Sequence, residues 1–437
     1  MTASSDPQSA ASRGQGVRHA FAVREFRGLM LAQIASEAGD QIARVAIALI
    51  VLSQTGSALL AAATFAVSFV PTFLGAALLG PIADRFSRRG LMLGADIGRA
   101  ITIGLLALVA IPGTPLWLLF VLLFVAELFT PVFDSARSAS IPDMLNDPTL
   151  VTSGMGLSRS LHLSNQAVGL VLGGVIVQVT SARSALCIDA FSFLVSFVLL
   201  FVFLRKRPSA LSSTQSVVVL LNDLVEGWTL LMSDASRRAL VLLGWGMALA
   251  VVAPEAVALA YVRDEGLGDA WGGILMATVI AGAAVGSIVV VNRPTRSQVD
   301  SLLPLAIAVC LPLLVTGLEP PIIVLIVLWA CSGFAQAFLV PLMSFTTLLT
   351  RNEHRGRVVG IASAGFAALS AVGYLLAGAI ADLTSPAFAV VVMAVIGLFV
   401  ASVALILWPQ SSLRGDIAGL RSSVLVDDAV VDDAAGA

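Results

Sequence analysis

The sequence predicts an all-α membrane protein with about twelve transmembrane helices in two six-helix halves, with both termini in the cytoplasm. Three observations lead to this prediction: the composition, the spacing of apolar stretches, and the distribution of Lys and Arg. Hydrophobic residues make up 58% of the chain and charged residues 12%, with a mean hydropathy of +0.97. Soluble domains carry roughly 25% charged residues, so lipid rather than water must cover much of this chain.

Apolar stretches of membrane-spanning length recur along the chain. A helix needs about 20 apolar residues to cross a hydrocarbon core of about 30 Å. Spans 1 to 6 are predicted at 27–52, 58–80, 90–112, 115–136, 152–179 and 184–204. Spans 7 to 12 are predicted at 239–262, 270–292, 302–317, 320–346, 356–381 and 386–408.

The distribution of basic residues predicts the orientation of these spans. With the N-terminus inside, twenty of the 25 Lys and Arg residues fall in segments that face the cytoplasm. Two, Arg183 and Arg263, fall on the other side, and Arg44, Arg99 and Arg159 lie within spans. Cytoplasmic loops are enriched in Lys and Arg, so an even number of spans with both ends inside is indicated.

The segments outside the spans divide the chain into five regions. Residues 1–25 and the acidic tail 409–437 are polar, and we expect both to be disordered and cytoplasmic. The halves, 26–204 and 239–408, flank a cytoplasmic linker, 205–238. Within the linker, 216–232 reads as an amphipathic helix on the membrane surface. Two repeated halves are typical of transporters that bind a substrate near the bilayer midplane.

Metal, cofactor and catalytic signatures are absent from the sequence. The three cysteines lie in apolar runs, and the three histidines have no metal-ligand spacing. The sequence contains no phosphate-binding loop, no H-E-x-x-H and no G-x-S-x-G pattern. We therefore expect no enzyme activity, cofactor, bound metal or nucleic-acid partner.

The connection between spans 2 and 3 carries a recognisable motif. It contains Gly80, Asp84, Arg85, Arg88 and Arg89, with Ser87 at a position where the motif has glycine. This segment resembles motif A of the major facilitator superfamily. The resemblance implies that Asp84 faces a helix end of the other half, while the arginines contact acids or lipid phosphates. These contacts would hold the outward-open state and break when the cytoplasmic side opens.

Further segments resemble the drug:proton antiporter-3 branch of that superfamily, which includes macrolide and siderophore exporters. They are 95–100 in span 3, 129–144 after span 4, and 188–193 in span 6. Span 5 is similar to the antiporter motif C at Gly156, Gly169, Gly173 and Gly174. Asn165 and Leu170 depart from that motif, in which glycine and proline stand. The glycines would either allow close helix packing or take part in gating. The motif B arginine of span 4 is missing.

Ionisable residues inside a bilayer are costly and usually face a cavity or a partner. Span 1 has the most of them, Glu37, Asp40 and Arg44, together with the polar residues Gln33 and Gln41. Their spacing by three and four residues places them on one helical face, with the two acids near the midplane. Such acids can bind and release protons, and their excess over Arg44 favours a cationic guest. The alternative is an Asp40–Arg44 ion pair that only stabilises the span.

The resemblance implies that spans 1, 4, 7 and 10 surround a central cavity. Glu127 in span 4 and Glu255 in span 7 are therefore further candidates for binding protons or substrate. Trp329 and Gln336 in span 10 would contribute an aromatic and polar lining. For the aromatic residues the alternative is a packing or lipid-facing role, and for Glu255 it is a position at the membrane interface.

Together these features predict a secondary transporter in the inner or plasma membrane. We expect proton-coupled efflux of a lipophilic or cationic small molecule, with protons and membrane lipids as partners and a monomer as the functional unit. One alternative is specific import or export of a metabolite such as a siderophore or natural product. Another is a membrane scaffold that does not transport.

Overall fold

The computed structural model describes residues 18–71, 86–111, 113–145, 147–207 and 217–408, with Leu413 and Gly415. The first helices are α1 (Arg24–Thr55), α2 (Ala58–Val67), α3 (Arg88–Val109), α4 (Leu116–Met144), α5 (Pro148–Val179) and α6 (Ala182–Phe203). Next come α7 (Val217–Ser233), α8 (Ala235–Val251), α9 (Ala253–Asp264), α10 (Asp269–Val291) and α11 (Thr295–Leu314). The last are α12 (Ile322–Ala335), α13 (Leu339–Leu348), α14 (Arg355–Leu383) and α15 (Pro386–Leu407).

Polar residues at the helix ends explain several of these boundaries. Side chains that accept a hydrogen bond from the first turn cap α2, α3, α5, α6, α8 and α15; they are Ser57, Ser87, Asp147, Ser181, Asp234 and Ser385. Such caps satisfy backbone N–H groups that have no partner within the helix. Helix α1 ends at Gly56, whose φ of 68° is a left-handed conformation that glycine adopts without strain.

Ten helical stretches in the described part of the chain are long and apolar enough to cross a membrane. They correspond to predicted spans 3 to 12. Helix α1, which is span 1, has 32 residues but carries several charged side chains. The described part of span 2 is a shorter apolar helix, Ala58–Pro71. The remainder of predicted span 2 lies outside the described residues.

Two predicted spans are interrupted. Span 7 consists of α8 and α9, separated at Val252. Pro254 lies in the first turn of α9, where it has no N–H to continue the ladder of α8. Span 10 consists of α12 and α13, separated by a 3-10 turn at Gln336–Phe338. Pro341 follows this turn and cannot donate to the carbonyl of Ala337 four residues earlier.

Span 4 is longer than predicted. Helix α4 continues to Met144 with Pro131 and Pro142 inside it, so that most of the segment expected to form a loop is helical. Arg137, expected in a cytoplasmic loop, therefore lies on a helix and is largely buried. In the linker, helix α7 covers nearly the predicted segment, and the indole of Trp228 stacks on that of Trp245 with ring centroids 5.7 Å apart.

The chain divides into two compact units. The first contains residues 1–214 together with 258–277, and the second contains 215–257 and 278–437. The segment 258–277 contains the end of span 7, the connection and the start of span 8, and it thus packs with the N-terminal helices. In that unit, the backbone N–H of Ala270 donates to Gln178 Oε1 of α5 at 2.9 Å. Two apolar clusters form the core of the helices in the first unit.

Candidate functional site

The polar face of span 1 meets charged and polar side chains from several other helices of the first unit. Gln33 and Gln41 are buried, while Glu37, Asp40 and Arg44 are half-buried. Their partners lie on α3, α4 and α5. Together with Ser68, which follows α2, these side chains form three groups centred on Glu37, Glu127 and Arg99.

Glu37 is surrounded by donors from spans 1, 4 and 5. Arg137 forms an ion pair with Glu37 Oε1, and His162 Nδ1 lies 3.3 Å from the same oxygen. The side-chain amide of Asn165 donates to Oε2 at 3.2 Å, and that of Gln33 donates to both oxygens at 3.0 and 3.2 Å. These contacts satisfy an ionised carboxylate away from bulk water.

Gln33 also connects span 1 to span 5. Its Nε2 donates to the carbonyl oxygen of Ser158 at 2.9 Å, and Ser158 Oγ donates back to Gln33 Oε1 at 2.8 Å. Both residues are buried, so the two hydrogen bonds fix the rotation of α1 against α5 next to Glu37.

Glu127 of span 4 receives its partners from three helices. Arg44 Nη2 lies 3.1 Å from Glu127 Oε1. Ser68, which follows α2, donates its hydroxyl to the same oxygen at 2.7 Å, and Thr130 Oγ1 lies 3.4 Å from Oε2. Two residues predicted separately from the sequence, Arg44 and Glu127, are therefore an ion pair across 83 residues of chain.

Arg99 of span 3 is the third centre. Its Nη2 lies 3.0 Å from Asp96 Oδ1, and its Nη1 lies 3.5 Å from Asp40 Oδ2. The guanidinium also lies over the rings of Phe133 and Phe193, 4.7 and 4.5 Å from their centroids. Such contacts hold a buried cation within an apolar neighbourhood. Asp40 is thus paired with an arginine of another helix.

A small cavity joins two of these groups. Asp40, Arg44, Arg99, Glu127 and Asp189 contribute its polar lining, and its volume is about 10 Å³. That volume is close to what a single buried water needs. The arrangement can hold protons and a water molecule, and it contains more acids than bases.

Several of these partners were not among the site residues predicted from the sequence: Asp96, Arg99, Arg137, His162, Asn165 and Asp189. One signal for Arg137 was present. Glu127, Thr130, Asp134 and Arg137 are spaced by three, four and three residues, which places them on one face of a helix. The ring of His162, which belongs to none of the motifs in the sequence, contacts Glu37.

The predicted site residues of the second unit have mixed surroundings. Glu255 lies half-buried in the first turn of α9. Trp329 is completely buried, and its Nε1 donates to Thr316 Oγ1 at 3.2 Å, which gives it a packing role. Gln336 donates its side-chain amide to the carbonyl oxygen of Val251 at 3.3 Å. This bond satisfies backbone at the interruption of span 7.

Only part of motif A lies in the described chain. Gly80, Asp84 and Arg85 fall outside the described residues. Arg88 forms an ion pair with Asp143 at the end of α4. Arg89 donates to the carbonyl oxygen of Phe201 at 2.6 Å and lies over its ring. Both arginines therefore connect the start of span 3 to helices of the same unit.

The glycines of span 5 differ in their surroundings. A Cβ at Gly169 would lie 2.8 Å from the carbonyl oxygen of Ala38, and one at Gly173 would lie 3.1 Å from Ile42 Cα. At Gly174 it would lie 2.8 Å from the carbonyl oxygen of Asp269. These three glycines allow close helix packing. Gly156 does not, because it is exposed and a Cβ there would meet no described atom within 4 Å.

Comparison with known proteins identifies what this helical arrangement resembles. A sequence model of the Major Facilitator Superfamily matches residues 29–297 and 299–425. The multidrug efflux pump Tap of Mycolicibacterium fortuitum is 24% identical over 364 residues, covering 81% of this chain and 88% of the pump.

Two further comparisons concern a relative in sequence and a solved structure. Macrolide efflux protein A of Streptococcus pyogenes is 24% identical over 222 residues, covering 50% of this chain and 54% of that protein. A crystal structure of the nucleoside transporter NupG superposes with a TM-score of 0.69 at 12% identity. The superposition covers 88% of this chain and 99% of NupG, and it demonstrates similarity of fold alone.

Proposed function

Because the chain belongs to the major facilitator superfamily, we propose that it exports a lipophilic or cationic small molecule in exchange for protons. Membership makes it a membrane transporter rather than an enzyme. Relatives of this chain that carry the names multidrug efflux pump and macrolide efflux protein support the direction and the class of cargo.

The observation that carries the proton-coupling proposal is the set of acids on spans 1 and 4. Glu37, Asp40 and Glu127 are each paired with an arginine from a different helix. Ion pairs of this kind can exchange partners or take up protons when helices move. Alternating access would then proceed as rocking of the two halves, with the pairs reforming in each state.

The finer features of the transporter are part of the same proposal. It would have twelve spans, cytoplasmic termini, halves at 26–204 and 239–408, and a linker helix on the membrane surface. It would work as a monomer in the inner or plasma membrane, with lipid headgroups at its basic loops. Motif A would act in gating.

The proposed roles of individual residues follow from their neighbours. Gln33, Glu37 and Asp40 would bind protons or substrate, and Gln41 would line the same face of span 1. In the second unit, Glu255 is the acid to which we assign binding of protons or substrate. There, Trp329 and Gln336 would stabilise the helices that carry it.

Reconstituted protein tests the proposal directly. Proteoliposomes with the lipophilic cation ethidium as probe should accumulate it when a pH gradient is imposed across the membrane. The variants Glu37→Gln and Asp40→Asn should lose this gradient-driven accumulation, because each removes an acid from the network. Dye fluorescence measures uptake, and protein-free liposomes provide the baseline.

Each other outcome selects a different function. Ethidium flux that is indifferent to the pH gradient would favour a uniporter and refute the proton coupling. Flux of siderophores or macrolides without flux of dyes would favour a specific exporter. No flux for dyes, macrolides or siderophores would favour a scaffold.

A further inference from the structure

Asp189 is a buried acid that the proposed function has not yet used. It lies in the second turn of α6, and its side chain is completely buried. Ser192 Oγ donates to its Oδ1 at a long 3.3 Å. Its Oδ2 has no hydrogen-bond partner among the described residues, and no described cation lies within ion-pair distance of it.

The close approach of spans 1 and 6 keeps Asp189 in this position. A Cβ at Gly39 would lie 2.4 Å from Asp189 Oδ1 and 2.2 Å from Ser192 Oγ. Glycine at this position therefore allows the acid to reach the polar face of span 1. Asp189 also lines the small cavity together with Asp40 and Arg99.

The charged groups around Asp189 come from three neighbouring spans. They are Asp40 and Arg44 of span 1, Arg99 of span 3 and Glu127 of span 4. Each of the two arginines already has carboxylate partners: Arg44 is paired with Glu127, and Arg99 is paired with Asp96 and Asp40. Three acids thus pair with these two arginines, and no cation in the cavity remains to pair with Asp189.

An ionised carboxylate buried without a cation or a full set of donors is strongly disfavoured. A proton removes the charge, and the protonated oxygen can donate into the water-sized cavity next to it. Buried acids in transmembrane helices commonly belong to proton pathways.

We propose that Asp189 is a proton-binding site of this transporter, reached through the cavity between spans 1, 3, 4 and 6. Binding takes one proton from water and converts the carboxylate to a neutral carboxyl group. Release returns that proton to water and leaves one more negative charge facing Arg99. Three carboxylates would then compete for one guanidinium, which favours rearrangement of the Asp40–Arg99–Asp96 group. This inference rests on the proposed proton-coupled transport.

Infrared difference spectroscopy of the full-length protein in liposomes tests the site without a substrate. A pH jump should reveal the carbonyl stretch of a protonated carboxyl group, and Asp189→Asn should remove that component. The matched control is Asp147→Asn. Asp147 caps α5 outside the membrane, and hydrogen bonds from Thr149 hold its pKa below the usual value. Asparagine caps a helix as well as aspartate, so this control should leave the spectrum unchanged.

Transport by the same proteins provides the second readout. Asp189→Asn should lose ethidium accumulation driven by a pH gradient but retain ethidium counterflow, which needs no net proton movement. Retained counterflow also demonstrates that the variant is folded. Full gradient-driven accumulation in Asp189→Asn would overturn the inference.

The spectroscopic result separates this inference from the proposed function. If wild-type protein shows no gradient-driven transport, proton coupling fails, yet the carboxyl signal still reports on Asp189. If Asp189→Asn does not insert, Ser192→Ala removes the hydroxyl that donates to Oδ1. The carbonyl stretch should then move to higher frequency. An unmoved band in Ser192→Ala, or an unchanged spectrum in Asp189→Asn, would refute the assignment.

Discussion

Glu37 illustrates how a charged side chain is accommodated inside a membrane protein. The carboxylate contacts a guanidinium, an imidazole and two side-chain amides, contributed by three helices. Removal of one partner from such a group leaves a buried charge that is incompletely compensated, whereas removal of both leaves two neutral side chains.

We therefore predict that the double variant Arg137→Gln/Glu37→Gln destabilises the protein by less than the sum of the effects of Arg137→Gln and Glu37→Gln. The single change should cost about 1–3 kcal/mol, because Asn165 and Gln33 still donate to Glu37. Thermal unfolding of purified protein in detergent, carried out as a double-mutant cycle, measures the coupling.

Arg159→Gln is the matched control, because Arg159 lies exposed on α5. Its effect should stay within about 0.5 kcal/mol. If the effects of Arg137→Gln and Glu37→Gln on stability add without coupling, the ion pair does not contribute as described.

At the scale of helices, spans 1 and 5 approach each other closely where glycine replaces a side chain. Gly169 lies against Ala38 and Gln41, and Gly173 lies against Ile42 and Val45. In lipid, helix association depends on such close packing and on hydrogen bonds between helices. The same contact positions Gln33 and Asn165 next to Glu37.

Gly169→Ala should therefore destabilise the protein by about 1–3 kcal/mol, as overpacking does in other tightly packed sites. The added Cβ would lie 2.7 Å from Gln41 Cβ and 2.8 Å from the carbonyl oxygen of Ala38. The temperature of thermal unfolding in detergent and the rate of dye counterflow should both decrease.

Gly156→Ala provides the comparison on the same helix. No described atom would lie within 4 Å of the new Cβ, and alanine favours helix by up to about 1 kcal/mol. The stability of Gly156→Ala should equal that of the wild-type protein or be slightly higher. A loss as large as that of Gly169→Ala would show that helix packing does not distinguish the two positions.

Across the whole molecule, most basic residues lie in segments outside the apolar parts of the spans. Arg205 and Arg207 pair with Glu25 near the end of span 6, and Arg357 pairs with Glu226 of α7. All of these lie in segments that the charge distribution assigns to the cytoplasm. Topology therefore rests on many residues and should tolerate single substitutions.

Reporter fusions test this topology. Green fluorescent protein fused after Ala437 should fluoresce in a bacterial host, and alkaline phosphatase fused at the same position should be inactive. Phosphatase fused after Gly266, in the connection of spans 7 and 8, should be active. Active phosphatase at the C-terminus would contradict an even number of spans with both ends inside.

The sequence predicted those parts of the structure that depend on near neighbours along the chain. Apolar length and composition determine whether a segment is a membrane helix, so spans 3 to 12 were recognised with few errors. The polar face of span 1 followed from helical spacing alone. The errors lay near prolines: Pro254 and Pro341 accompany interruptions of spans 7 and 10, whereas Pro142 lies inside helix α4, in a segment that was expected to form a loop.

By itself, then, the sequence determined the class of the protein, its helices and the acids placed on span 1. Only the tertiary structure decided which side chains meet. The rotation and approach of the helices determine that Asp40 pairs with Arg99 and that Glu37 pairs with Arg137. They also determine that Asp189 is buried without a cation. Packing over the whole unit sets that rotation. No local spacing encodes a contact such as that between Glu37 and Arg137, which are 100 positions apart.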